Sequence, residues 1–150
     1  MKRTVLLLII VFVAFGIAFT GLKISADEKE KAAVRVPLEN YLKGHETGNP
    51  EFMKKAFHTD GDLMFIRDGK FTTRSFADYI SGMSGKPAAD EDKRKRFIES
   101  IDVSGDAAVG KIILDYPNAK FVDYMTLLKI DGEWKIVNKS FFMERKDPKS

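Results

Sequence analysis

The stretch Lys120 to Phe142, KFVDYMTLLKIDGEWKIVNKSFF, constrains the fold of this chain more than any other. Its central Asp131-Gly132 readily takes the positive backbone dihedrals of a type I′ turn, and alternating residues on either side make the whole a β-hairpin. If Ile130 pairs with Glu133, then Phe121, Asp123, Met125, Leu127 and Lys129 share one sheet face with Phe142, Ser140, Asn138, Ile136 and Trp134. That register sets Asp123, Asn138 and Ser140 among apolar side chains. A buried carboxylate needs a hydrogen bond, an opposite charge, water or a proton, so any chemistry in this chain starts at those three residues.

The hairpin extends upstream into a meander of strands at about 94–103, 107–116, 120–130 and 133–143, with Ser104-Gly105 and Pro117-Asn118 in the other turns. Carrying the pairing through gives four rows on one face. They are Lys95, Leu114, Asp123 and Ser140; Phe97, Ile112, Met125 and Asn138; Glu99, Gly110, Leu127 and Ile136; and Ile101, Ala108, Lys129 and Trp134. The opposite face carries Arg94, Arg96, Lys111, Asp115, Lys135 and Lys139 and is mostly wet, so helices must cover the first. Apolar spacing predicts a helix over Ala32 to Leu42, stopped by Gly44, with Pro37 as a kink or true start. Asn49-Pro50-Glu51 opens a second helix, and Ser75 with Asp78 caps a third that breaks at Gly82. Asp68-Gly69 turns another hairpin between Leu63 to Arg67 and Lys70 to Thr73. Helices segregated against an antiparallel sheet make an α+β domain.

The first 26 residues stand outside this domain. A positive Met1-Lys2-Arg3, an unbroken apolar run from Val5 to Phe15 and Ser25-Ala26 before Asp27 read as a secretory signal cleaved after Ala26, leaving 27–150 as the domain. The rival is an uncleaved membrane anchor, because Thr4 to Leu22 holds no charge and approaches the ~20 residues of a membrane-spanning helix. The overall charge of +3 resides in this segment, since removing Lys2, Arg3 and Lys23 leaves 22 basic against 22 acidic residues. A whole-surface attraction to nucleic acid or anionic lipid is therefore not expected. The absence of cysteine excludes a disulfide framework and a thiolate metal site.

The phrases YLKGHETGNPEFMKKAFHTDGDL, SGDAAVGKI and FVDYMTLLKIDGEWKIVNKSF resemble the lumazine-binding branch of the nuclear transport factor 2-like superfamily, over nearly all of residues 30 to 143. The resemblance implies a cone, in which a curved antiparallel sheet wraps three helices around a cavity, and a homodimer through the outer sheet face. Relatives include ketosteroid isomerase, polyketide cyclases of the SnoaL-like type and many members without chemistry. Fold does not fix function in such a group.

On that cone, Asp123, Asn138, Ser140 and Glu99 point into the cavity as ligand-binding groups. Phe97, Met125, Tyr41 and Tyr79 supply apolar walls, and His58, just past the second helix, is a candidate pocket base. Each has a plainer reading. Asp123 can be satisfied by Ser140 and Lys95 in a closed patch, the aromatics can be core, and His58 can bond the end of its helix. Gly110 opposite Glu99 leaves volume for a ligand or marks a bend. His45, in a loop, is expected to face solvent. Two histidines so placed give no metal spacing, and no P-loop, nucleophile elbow or dinucleotide fingerprint calls for a cofactor. The expected function is an exported small-molecule-binding domain. The alternatives are an isomerase, dehydratase or cyclase using a pocket carboxylate, or a structural dimer using Lys111, Tyr124, Thr126, Lys135 and Lys139.

Overall fold

The computed structural model describes residues 25–147, so residues 1–24 of the expected signal segment lie outside the described residues, while the expected cleavage site after Ala26 falls at the start of the first helix. The order is α1 (Ala26–Thr47), α2 (Pro50–Ala56), β1 (Phe57–Arg67), β2 (Lys70–Ser75), α3 (Phe76–Ser81), a short 3₁₀ turn (Glu91–Lys93), then β3 (Lys95–Ser104), β4 (Ala107–Asp115), β5 (Ala119–Ile130) and β6 (Glu133–Arg145). The six strands form one curved sheet in the order β2-β1-β6-β5-β4-β3. Every pairing is antiparallel except β1 with β6, which is parallel and makes the sheet mixed. The three helices cover its concave face, so the expected α+β fold holds with that one pairing changed.

Local chemistry explains the punctuation. Asn49 accepts from the Glu51 amide and precedes Pro50 at the first helical position, while Ser75 accepts from Asp78 N and donates to its carboxylate. Asp68 and Asp131 take positive φ beside Gly69 and Gly132, as type I′ hairpin turns require. The first helix, however, is twice as long as its apolar pattern indicated. Pro37 lies inside it, buried, and Gly44 is no stop but packs so closely on Met53 that a Cβ there would come within 2.8 Å. The helix ends at Gly48, φ +69°, whose N–H bonds back to Gly44 O. Its apolar stripe runs Val34, Leu38, Tyr41, and Leu38 fills the hollow over Gly110, so that glycine holds no space for a ligand. At the far end, Lys129 and the Trp134 indole both bond Glu30, fixing the helix to the last hairpin.

Two single-residue bulges rearrange the faces. In β6 the ladder passes from Leu127 opposite Ile136 to Thr126 opposite Asn138, leaving Val137 as the extra residue. In β3 it passes from Ile98 opposite Ile112 to Ser100 opposite Lys111, leaving Glu99 extra. A bulge exchanges the two sides of a strand beyond it. The expected rows therefore hold for Asp123, Met125, Leu127, Ile112, Leu114, Trp134 and Ile136, all buried, but not for the upper halves of β6 and β3.

Candidate functional site around Lys139

The bulge at Val137 turns Lys139 and Phe141 inward where Asn138 and Ser140 were expected. Asn138 instead lies opposite Thr126 and donates its amide to Asp62 O, and Ser140 lies opposite Tyr124. Lys139 replaces Ser140 and Lys95 as the partner of Asp123. Its Nζ lies 2.9 Å from Asp123 Oδ2, and both residues are buried, at 4% and 0% exposure. Tyr41 completes the cluster: its hydroxyl accepts from Lys139 and donates to Asp123 Oδ2 at 2.6 Å. The other carboxylate oxygen, Oδ1, has no donor among the described residues. Lys139 Nζ also lies 4.9, 5.0 and 5.9 Å from the ring centroids of Tyr41, Phe141 and Tyr79.

Lys139 forms part of the wall of a cavity of about 360 Å³. Its apolar lining is Leu63, Phe65, Leu114, Phe121 and Phe141; its polar lining is His45, Tyr79, Tyr116 and Lys139, with Arg67 and Arg74 from the β1–β2 hairpin. No carboxylate lines it, since Asp123 lies behind Lys139. Such an apolar enclosure with a few convergent polar groups is the usual form of a small-molecule site.

His45 continues the Val34–Leu38–Tyr41 stripe one turn beyond Tyr41 and so faces inward rather than solvent. Its Nε2 lies 3.0 Å from the Tyr79 hydroxyl and its Nδ1 3.4 Å from that of Tyr116. Burial first, and then the charges of Lys139, Arg96 and Arg94, push its pKa well below the ordinary value. The ring is neutral at pH 7, donating at one nitrogen and accepting at the other. Burial also raises Tyr41, Tyr79 and Tyr116, with Asp123 adding to each, so all three stay protonated. Burial draws Lys139 down, against the opposing charge of Asp123.

The His45 shift has a consequence for stability. Unfolded, the ring binds a proton near pH ~6.5, whereas folded it does not, so stability rises with pH in that window. Lowering the pH from 7 to 5 should cost His45 at most roughly 2 kcal/mol, at no more than ~1.4 kcal/mol per unit. Thermal melts of wild type and His45→Gln across that range test this: the wild-type slope should exceed the variant's, and parallel slopes would refute it.

The remaining expected site residues lie elsewhere. Phe97 is exposed on the outer face, where Glu99 pairs with Lys111 at 2.6 Å, and Met125 is core. His58 borders a separate groove against Pro50 and Ile80, where its Nδ1 accepts from the Asp60 amide. Of the expected set, the structure brings together Asp123, Tyr41 and Tyr79. Lys139, His45 and Tyr116 complete the cluster. The helical spacing of His45 was a readable signal; the inward turn of Lys139 had none.

Comparison with known proteins places this geometry. A family described as "Putative lumazine-binding" matches residues 29–142. A curated relative, Aldolase FrzH from Cladobotryum sp, is 28% identical over 103 residues, covering 67% of this chain and 81% of its own. Among solved structures, an NTF2-like protein of unknown function from Shewanella baltica OS155 superimposes with a TM-score of 0.71 at 25% identity, over 82% of this chain and all of its own. Another, from Methylobacillus flagellatus KT, does so with 0.66 at 30% identity, over 81% and 96%. With the mixed sheet, the three covering helices and a match across most of its length, the chain belongs to that lumazine-binding family of the nuclear transport factor 2-like fold.

Proposed function

We propose that this chain is an exported protein that binds a small, partly aromatic molecule carrying a carbonyl or enolate oxygen in the cavity beside Lys139. The observation that carries this reading is the state of the lysine. An ammonium offers three hydrogens, and among the described residues Lys139 directs two of them, to Asp123 and Tyr41. The third has no protein acceptor, in a cavity whose lining supplies aromatic walls and no competing carboxylate. An oxygen-bearing ligand can accept that third hydrogen, and Arg67 and Arg74 favour negative charge on it.

A second reading is supported by the likeness to Aldolase FrzH and by neutral His45: the pocket makes or breaks a carbon–carbon bond next to a carbonyl, His45 moving the proton. The isomerase, dehydratase and cyclase alternatives use the same carbanion chemistry, but Asp123 acts in them only through Lys139 and Tyr41.

The homodimer is also proposed, with its surface revised. Lys139 and Phe141 face inward, leaving Phe97, Val109, Tyr124, Leu128 and Phe142 among the exposed apolar residues of the outer face. A native mass spectrum of protein recovered from the exported fraction tests the whole proposal. It should show a chain beginning at Asp27, paired, with extra mass that is lost on denaturation. Ligand-free monomers, or chains retaining Met1 and recovered only from membranes, would overturn the corresponding part.

A further inference from the structure

We propose that Lys139 is an amine nucleophile: its Nζ condenses with the carbonyl carbon of a ketone or aldehyde seated in the cavity, forming a Schiff base, while Asp123 and Tyr41 carry the protons. This deepens the binding reading above and rests on it.

Three features of the cluster support the step. Lys139 is almost wholly buried yet lines the cavity, so what reaches its nitrogen comes through that space. It has two short routes for losing a proton, directly to Asp123 Oδ2 at 2.9 Å and through the Tyr41 hydroxyl, which itself donates to that oxygen. Finally, Asp123 Oδ1 is buried with no donor among the described residues. Transfer of the Lys139 proton along either route leaves the carboxyl neutral. The neutral pair then presents an amine with a free lone pair.

The groups facing the nitrogen pull both ways. Asp123 and the rings of Tyr41, Phe141 and Tyr79 favour the ammonium, burial favours the amine, and the net displacement is toward the amine. Desolvation of this kind is how lysines become nucleophiles near neutral pH.

The step balances without an oxidant. The Nζ lone pair attacks the carbonyl carbon, the C=O π pair moves to oxygen, and a proton passes from nitrogen to that oxygen, giving a carbinolamine. The carbinolamine hydroxyl takes the proton held by Asp123 and leaves as water while the nitrogen lone pair forms C=N. The products are one water and a protonated imine, which again faces an ionised Asp123.

Pentane-2,4-dione tests this, because it condenses with unprotonated amines to a stable enaminone with loss of one water. Mapping the peptides of the wild-type protein after brief exposure should place the adduct on Lys139 several-fold faster than on exposed Lys70. Lys139→Arg keeps a cation on Asp123 and should lose the adduct. In parallel, 2-acetonaphthone, an aromatic ketone, is titrated by fluorescence to report non-covalent occupancy. Saturable ketone binding with Lys139 labelled no faster than Lys70 overturns the nucleophile and leaves the binding reading standing. Absence of both overturns the two together. The wild-type map decides even if the variant does not fold.

Discussion

Asp123→Asn should lower the unfolding free energy by about 3–5 kcal/mol, because it leaves the Lys139 ammonium buried without a counter-charge. The substitution preserves volume, so the loss reports charge rather than packing. The Asn amide also adds donors beside a group that is already a donor, while Tyr41 keeps a partner in the amide oxygen. Lys139→Met should cost a similar amount by the opposite route, since Tyr41 then remains the only donor to a fully buried carboxylate. Combined, the two should cost markedly less than the sum of the singles, because the double variant leaves no orphaned charge. Urea unfolding of the three variants measures this. Additive costs would show that the two groups are not coupled, and a loss below ~1 kcal/mol for Asp123→Asn would show a weak, solvent-screened pair.

Gly48→Ala should cost roughly 2–4 kcal/mol, from positive φ and from a backbone collision. At φ +69° an L side chain is strained, and a Cβ there would sit 2.6 Å from the Lys86 carbonyl carbon and closer still to its oxygen. Neither can swing away as a side-chain tip does. The Gly85 amide also bonds Gly48 O, so the end of the first helix and the 82–88 loop are joined at this residue. Gly85→Ala is the control: its φ is +73° but nothing lies within 4 Å of its missing Cβ. It should lose only the ~1–2 kcal/mol of left-handed strain. Equal losses in the two variants would dismiss the collision. The 82–88 loop borders His45 on the side away from Lys139, so displacing it should also flatten the His45 contribution to the pH profile.

Much of this architecture was legible in the residues. Asp68-Gly69 and Asp131-Gly132 fixed two hairpins, Asn49-Pro50 and Ser75 opened two helices, and the strand limits fell within two residues of those observed except in the first strand, which begins at Phe57 rather than Leu63. These signals are local: a turn dihedral or a cap depends on a few neighbouring atoms. The burial of Asp123 also followed from the last hairpin, because the extra residue lies on β6 and the strand that carries Asp123 keeps its alternation through Leu127 and Met125. What failed was non-local. Nothing in Ile136-Val137-Asn138 announces that one residue loops out, since the bulge serves the curvature of the whole sheet, and every face assignment beyond it was reversed. The parallel pairing of the first strand with the last is equally invisible, because no turn joins them. His45 is different: its place on the helical stripe was readable, but Gly44 looked like a terminus until Met53 was seen packed against it.

The extra residue at Val137 also means that the last strand encodes two alternative cavity linings. With Val137 looped out, the cavity receives an ammonium and an aromatic ring. With the strand straightened, the same positions receive the amide of Asn138 and the hydroxyl of Ser140, a neutral lining with no nucleophile. Under the role proposed for Lys139, removing one residue at this bulge would exchange a reactive lining for an inert one. Insertions and deletions in this strand, more than substitutions, are the changes to follow when ligand preference is traced from one relative to another.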